Sequence, residues 1–319
     1  MAIVATLLAV LTVGSAGAGA VTGSIAAGHV QPAAMNVAQL QACVEAGRAA
    51  CEAEMGRRYF TGQGMPQDVA ASFVWYQKAA DKGVVSAMMM VAQAYDDGRG
   101  VTKNEAEAFA WYQKAAAGGD AASMAALGRY YEIGGPVAAD KAQAMAWYGK
   151  AADKGERGAM ADLARLYEAD GDMGKALDLG KRAAKAGSVW SAYTVGEIYY
   201  HGRSGLKADA AASEPWYEMA AYWNLPQAQY QLARMYYNGD GVKNDDIEAY
   251  VWMSIAADRG EVNARDDMAS LLPQITPEQK AKVAAIRVQR MQEIETRSKA
   301  AAIFVYPLGT PVDAVKPQG

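Results

Sequence analysis

The chain has 319 residues, a formal net charge of −4 and an apolar fraction of 52%, with 32 glycines and only four phenylalanines. This length allows two average domains or one long repeat array, and the many small residues favour thin helical layers. The acidic balance argues against a nucleic-acid-binding protein, because such proteins carry a basic surplus or patch. Two histidines and two cysteines are too few for most zinc sites and most histidine-based acid–base mechanisms.

The first 44 residues contain no Asp, Glu, Lys or Arg. Within them, an apolar run from Ala2 to Val13 precedes small residues in A-x-A patterns, which is typical of a secretory signal peptide, although no Lys or Arg precedes the run. The run is shorter than the roughly 20 residues that a membrane span needs. We therefore predict a signal peptide at 1–20, a linker at 21–35 and a periplasmic or secreted protein, with a cytoplasmic protein as the alternative.

A tryptophan recurs along the middle of the chain, and in most cases a tyrosine follows it. Three of the intervals between these tryptophans are 36 residues long, and a shorter unit between the third and the fourth has Leu179-Gly180 in place of Trp-Tyr. Because they recur in register, we interpret them as repeat core rather than as a ligand site. They are Trp75, Trp111, Trp147, Trp216 and Trp252.

Each unit of this pattern predicts two helices. The first ends in Tyr-x-x-Gly in all but the shortened fourth unit, and it has an apolar residue four positions before the Tyr, followed by Gly or Ala. The second begins after an Asp or Asn, which can cap a helix, and closes with Ala-Ala-x-x-Gly or, once, with Asn224. In the fifth unit Pro215 predicts a late start of the second helix, near Ser213. Such thin units must stack in order to bury their faces.

The motif A-x-x-x-L-G-x-x-Y-x-x-G…D-x-x-x-A-x-x-W-Y-x-K-A-A-x-x-G resembles the Sel-1-like repeat family, a relative of tetratricopeptide repeats, in six copies over residues 51–264. The fourth copy lacks Trp-Tyr, and the sixth lacks the Lys before Ala-Ala. The resemblance implies an all-α, right-handed α-solenoid of helix–turn–helix repeats of about 36 residues. It also implies an adaptor that binds proteins.

The two cysteines fall within the same frame. Residues 36–50 form an N-terminal half-repeat that contains Cys43, and Cys51 follows at the start of the first full repeat; both occupy slots that hold small residues in every other unit. This places the two Cβ atoms close together across a tight turn, and we predict a disulfide. Their C-x7-C spacing also resembles the cysteine-rich secreted branch of the family. The alternative is two buried free thiols in a reducing compartment.

The last predicted helices, at 265–303, should cap the array. One starts at Thr276, whose side chain can form a capping box with Gln279. Its apolar side holds Val283, Ile286, Ile294, Ala284, Val288 and Met291. Because basic residues flank this side, contact with a membrane surface is an alternative. Residues 304–319, with three prolines, predict a flexible tail.

The binding prediction concerns the first helices of the units. By analogy with tetratricopeptide arrays, residues two positions before and after the Leu slot should line a concave groove. They suit an extended peptide with acidic or C-terminal carboxylate groups, unless the arginines are solvated or pair with Glu on the next repeat. The groove residues are Arg57, Met89, Gln93, Arg129, Arg165, Tyr193, Glu197, Tyr230 and Arg234.

One short motif suggests an enzyme instead. Ser204-Gly205-Leu206-Lys207 fits the S-x-x-K motif of penicillin-recognising enzymes, which would imply activity on β-lactams or peptidoglycan. Neither S-D-N nor K-T-G occurs, and the motif falls in a predicted loop. We therefore predict no catalytic, cofactor-binding or metal-binding residue. The predicted function is a non-enzymatic scaffold for protein partners, with such an enzyme or a membrane-surface organiser as alternatives and the oligomeric state left open.

Overall fold

In a computed structural model of the chain, the described residues are 31–302 apart from 204, 272 and 274. The predicted signal peptide, residues 21–30 of the predicted linker and the predicted tail lie outside these residues. Every regular element within them is helical, which confirms the all-α class. After a 3-10 turn at Pro32–Ala34, the α-helices are α1 (Val37–Glu45), α2 (Ala49–Thr61), α3 (Val69–Asp81), α4 (Val85–Asp97), α5 (Glu105–Ala117), α6 (Ala121–Ile133), α7 (Lys141–Asp153), α8 (Arg157–Ala169), α9 (Met173–Lys185), α10 (Val189–His201), α11 (Ala210–Tyr222), α12 (Pro226–Asn238), α13 (Asp246–Asp258), α14 (Val262–Leu271) and α15 (Pro277–Ala302).

Helices α2 to α13 form six hairpins, and each helix packs mainly against the helices before and after it, as in a solenoid. The second helix of each hairpin begins after an aspartate or asparagine whose side chain accepts hydrogen bonds from backbone N–H groups of the first turn. A left-handed residue follows the second helices. That residue is Asn224 (φ 70°) after α11, where asparagine replaces the usual glycine.

Where a tyrosine follows a repeat tryptophan, the tyrosine is the more regular core residue. Tyr148 is 2% exposed, and its ring lies so close to Gly128 that a Cβ atom there would be 2.6 Å from it. Tyr76 on Gly56 and Tyr217 on Gly196 repeat this contact. The glycines therefore set the distance between the two helices of a hairpin. Of the repeat tryptophans, two are buried (Trp111 and Trp252) and three are half-buried (Trp75, Trp147 and Trp216).

The expected late start of α11 is wrong. The helix begins at Ala210, because Asp209 accepts a hydrogen bond from the backbone N–H of Ala212 and so caps it like the other second helices. Pro215 lies inside the helix and is exposed. Its ring therefore points to solvent, and the cost of the proline is the missing backbone hydrogen bond within one turn.

The N-terminal end is held by the predicted disulfide. Cys43 at the end of α1 and Cys51 in α2 are bonded, with Cα atoms 5.9 Å apart. Arg58 is 4% exposed and donates a 2.5 Å hydrogen bond to the carbonyl of Met35. These two contacts fix the half-repeat and the segment before it onto α2.

The C-terminal helix α15 lies across second helices α13 and α11. Val283 and Ile294 are buried, but Val288 and Met291 are exposed, so the apolar side expected from the sequence is only partly used. Arg287 and Arg290 face the array instead, because α13 and α11 offer polar partners to them there. These partners are the Asp258 and Glu248 carboxylates and the Ser254 and Tyr222 hydroxyl groups. Among the described residues, no helix is long and apolar enough to cross a membrane.

Candidate partner-binding face

The predicted groove residues all lie on the first helices of the hairpins, α2, α4, α6, α8, α10 and α12. We call the solvent-facing side of these helices, together with α14, the first-helix face. Arg129, Arg165 and Arg234 are exposed on it, and the other predicted residues are half-buried. The structure therefore brings the predicted residues onto one face, in rows that run from repeat to repeat.

Two of the arginines form ion pairs between neighbouring repeats. Arg129 donates to Asp96 of the preceding repeat at 2.6 Å, and Tyr130 donates to the same carboxylate at 2.8 Å. Arg165 donates to Glu132 of its preceding repeat at 2.5 Å. These two arginines are therefore paired with acids of another repeat, as the alternative from the sequence allowed, but the acid lies on the preceding repeat rather than on the next one.

The carboxylate of each pair also accepts a hydrogen bond from the core tyrosine of its own hairpin. Tyr148 donates its hydroxyl to Glu132 at 2.9 Å, so one carboxylate joins a second helix to two first helices. Burial and the nearby Asp162 and Glu132 carboxylates raise the pKa of Tyr148, so its hydroxyl remains a donor at any ordinary pH. The acids therefore help to fix the spacing of the repeats.

The first arginine in the row, Arg57, binds Glu54 on its own helix through two hydrogen bonds of 2.7 Å. Burial acts to raise the pKa of Glu54, but hydrogen bonds from Arg57 and Arg58 outweigh it and hold that pKa below its usual value. Three of the four predicted groove arginines are consequently neutralised within the chain. They offer little free positive charge to an acidic peptide.

Arg234 is different because the slot that holds its expected partner contains Tyr200. That slot directly follows the tyrosine of the Tyr-x-x-Gly pattern in the first helix and holds Asp96 and Glu132 in earlier repeats. Tyr200 instead donates its hydroxyl to Asp240 at 2.7 Å. The guanidinium carbon of Arg234 lies 5.8 Å from the centre of the Tyr230 ring, and its positive charge helps to lower the pKa of Asp240.

Aromatic side chains concentrate on α10 and α12. The Tyr193 ring lies 6.1 Å from that of Trp190 and 5.8 Å from that of Tyr217. Burial and the nearby Glu197 carboxylate raise the pKa of Tyr193 to about 12. Burial and a hydrogen bond to a carboxylate of α14 likewise raise the pKa of Tyr230 to about 12. The same row in earlier repeats holds Ala53, Met89, Ala125 and Ala161, so the two halves of the face differ in chemistry.

Glu197 occupies the slot that holds arginine in four other repeats. It accepts hydrogen bonds from the Tyr217 hydroxyl at 2.5 Å and from the Gln231 amide at 3.2 Å. His201 lies one turn further along α10, with its Nε2 atom 3.7 Å from the carboxylate. Gln93, the remaining predicted residue, is half-buried and lines a small cavity between the first two repeats together with Phe60 and Phe73.

Comparison with known proteins identifies the repeats. A family model described as "Sel1 repeat" matches residues 49–84, 85–120, 121–156, 158–188, 191–222 and 226–261, which together make up more than half of the chain. The chain belongs to the Sel1 repeat family. Sel1 repeat proteins are in general scaffolds for protein interactions. The matched spans agree with the hairpins of the structure, including the shortened fourth repeat.

The chain is also similar to solved structures, among which a Sel1 repeat protein shares its fold. A Sel1 repeat protein from Oxalobacter formigenes is 26% identical, with a TM-score of 0.65, and the match covers 73% of this chain and 68% of that one. A protective antigen of uropathogenic Escherichia coli with the same repeat fold is 22% identical, with a TM-score of 0.37 and coverage of 88% and 76%. The immunity protein Pa5087 from Pseudomonas aeruginosa is 18% identical, with a TM-score of 0.41 and coverage of 65% and 81%.

Two other features bear on chemistry in this Sel1 repeat array. Within the described residues there is no group of three or more His, Cys, Asp or Glu side chains that could hold a metal ion. Ser204 of the S-x-x-K motif lies outside the described residues, and Lys207 is in the non-helical segment between α10 and α11. The sequence interpretation missed the acidic slot that pairs with the arginines, although Asp96, Glu132 and Glu168 recur there at 36-residue intervals.

Proposed function

We propose that this Sel1 repeat protein is a non-enzymatic scaffold that binds other proteins through its first-helix face, in the cell envelope or outside the cell. The observation that carries the proposal is the concentration of Tyr193, Tyr230 and Arg234 in neighbouring repeats of one face. Tyrosine, tryptophan and arginine are the residues that most often dominate the binding energy of protein interfaces. A first-helix face also offers an extended partner one contact row per repeat.

The outer compartment is supported by the Cys43–Cys51 disulfide, because disulfides persist in oxidising environments. The apolar run from Ala2 to Val13 supports it further. Membrane-surface binding through α15 is less well supported, because Val283 and Ile294 are buried against the array. Cell fractionation combined with alkylation of free thiols tests the compartment. A protein found in the cytosol with two alkylated cysteines would overturn this part of the proposal.

The binding function is tested by affinity capture with matched variants. The double variant Tyr193→Ser and Tyr230→Ser changes the first-helix face, whereas Val74→Ser changes an exposed apolar residue of second helix α3. We expect partners captured by the wild-type protein to be lost with the double variant and retained with Val74→Ser. Partners that bind all three proteins equally would contradict the proposed face. Hydrolysis of a chromogenic β-lactam by the pure protein would contradict the absence of catalysis.

A further inference from the structure

The aromatic part of the first-helix face differs from the rest in the charge that remains free. In the earlier repeats, Asp96, Glu132 and Glu168 each form an ion pair with an arginine. Three further carboxylates lie on α10, in the loop after α12 and on α14. Within the part of the chain that the structure describes, no Lys or Arg nitrogen lies within 4.0 Å of Glu197, Asp240 or Asp267. Their negative charge is therefore not neutralised by a direct ion pair with Lys or Arg, although Arg234 acts on Asp240 at longer range and His201 lies 3.7 Å from Glu197.

Neutral donors orient these three carboxylates instead. Tyr230 donates its hydroxyl to Asp267 at 2.7 Å, and Tyr200 and Asn238 donate to Asp240 at 2.7 and 3.0 Å. The Tyr200 and Asn238 hydrogen bonds hold the pKa of Asp240 below its usual value, so this carboxylate stays ionised. A tyrosine hydroxyl can fix a carboxylate in place without neutralising it. The arrangement keeps full negative charges next to aromatic rings.

Aromatic rings beside carboxylates favour a cationic ligand. The face of a tyrosine or tryptophan ring attracts an ammonium or guanidinium group, and a carboxylate within reach adds a charge-assisted hydrogen bond. Tyr193 and Tyr230 are half-buried, so each ring is held by its surroundings while part of it remains accessible. Rigid rings lose little conformational entropy on binding, which suits them to anchor a partner side chain.

Arg234 is the positive charge within this part of the face. Its guanidinium lies near the Tyr230 ring, and it makes no ion pair with a described carboxylate. Arg265 is also exposed, but it lies on α14 at the end of the stack. Its slot holds Met124 and Gln229 in other first helices. Arg234 therefore repels a cationic ligand and attracts an anionic one. This makes it a probe of the sign of the ligand's charge.

We propose that Tyr193, Tyr230, Glu197, Asp240 and Asp267 form a subsite that binds a lysine- or arginine-bearing extended segment of the partner protein. The proposal rests on the proposed function and names the chemistry of the partner. The lysine or arginine side chain lies across a tyrosine ring, and its charged end reaches one of the unpaired carboxylates. This charge preference is opposite to the acidic peptide that the row of arginines suggested, because three of those arginines are already paired.

The test measures binding of three short fluorescent peptides of equal length to the full chain by anisotropy. The peptides carry lysine, glutamine or glutamate at the same alternating positions. Asp267→Asn removes one carboxylate of the subsite, and Asp153→Asn, on second helix α7, makes the same charge change at a residue 82% exposed away from it. Arg234→Gln removes the positive charge of the subsite. Thermal unfolding of each variant confirms that it is folded.

We expect the lysine peptide to bind best and to weaken as salt is raised. Asp267→Asn should weaken it about three- to tenfold and Asp153→Asn should leave it within about twofold, while Arg234→Gln should strengthen it about threefold. Tyr230→Ala should weaken it at least about tenfold. If the protein preferred the glutamate peptide and Arg234→Gln weakened that binding, the proposed charge of the ligand would be overturned, but the proposed function would stand. If the partners captured in cells bound every first-helix variant as well as the wild-type protein, the proposed charge preference and the proposed function would both be overturned.

Discussion

The left-handed glycines of the array fall into two kinds according to what surrounds them. Gly100 has a φ of 73°, and a Cβ atom placed on it would lie 2.2 Å from the carbonyl oxygen of Val69 in the preceding repeat. Gly155 has a φ of 87°, but a Cβ atom there would meet nothing within 4 Å. Both therefore need a left-handed conformation, and only Gly100 also needs the absence of a side chain.

Gly100→Ala and Gly155→Ala separate these two requirements. The left-handed conformation costs an alanine about 1–2 kcal/mol at either position. At Gly100 the contact with backbone adds about 1–3 kcal/mol, because neither repeat can move away without breaking its neighbours' packing. We expect chemical unfolding to show a clearly larger loss for Gly100→Ala. Equal losses would mean that the loop between α4 and α5 can shift away from α3.

Asp162 is an acid on the first-helix face whose pKa lies well above its ordinary value. Burial raises its pKa to about 6, while Arg165 acts in the opposite direction and Glu132 and Glu156 add to the rise. Because this folded-state pKa exceeds the unfolded value of 3.8, the folded state binds the proton more tightly. Stability from this group therefore increases as the pH falls from about 6 towards 4.

The variant Asp162→Asn lacks this titrating carboxyl group. Relative to the wild-type protein, it should gain thermal stability at pH 7, and this gain should shrink at pH 4, where the wild-type carboxyl group is largely protonated. Thermal unfolding of both proteins at the two pH values measures the difference. Carboxyl titration by NMR gives the pKa directly, and a value near 4 would show that the side chain is fully hydrated.

At the scale of the element, α11 contains the one interior proline among the hairpin helices described. Pro215 is exposed and cannot donate to the carbonyl of Ala211 one turn earlier. Pro215→Ala restores that hydrogen bond without opening a cavity, and we expect it to stabilise the protein by about 1–3 kcal/mol. Pro226→Ala is the control, because Pro226 is at the first position of α12, where proline is favoured. A destabilised Pro215→Ala protein would show that the proline ring makes stabilising contacts with a neighbouring helix.

The helices also show what the sequence could and could not predict. The hairpins and the Cys43–Cys51 bond were predictable, because caps, turns and small-residue slots repeat in register. The start of α11 was not, because capping by Asp209 outweighs the local penalty of Pro215. The position of α15 was not predictable either, because its polar contacts with α13 and α11 depend on a tertiary arrangement that helical periodicity does not contain.

The same limit applies to the candidate face. Counting two positions from the Leu slot placed the predicted residues on the first-helix face, since helical geometry alone determines which side they occupy. It did not show which arginines are free, because each partner lies on another helix or one turn away. The row of Asp96, Glu132 and Glu168 contained this information, but its meaning depended on knowing which first helices are neighbours.

At the scale of the whole molecule, the array is stabilised mainly by contacts between adjacent helices, so local changes should have local effects. The Cys43–Cys51 bond closes a short loop, for which chain entropy gives about 2–3 kcal/mol. In the double variant Cys43→Ala and Cys51→Ala, we expect hydrogen exchange to accelerate in α1 and α2 and to remain unchanged in α12 and α13. Equal acceleration throughout would show that the array unfolds as one cooperative unit.

The ion pairs on the first-helix face have a mechanical consequence. Asp96 with Arg129 and Glu132 with Arg165 link successive first helices through exposed arginines, whereas tyrosines and glycines hold each hairpin together by close apolar contact. Dissolved ions weaken the former and leave the latter intact. The curvature of the array should accordingly change slightly in concentrated salt, and small-angle X-ray scattering would register this as a changed radius of gyration without loss of helix.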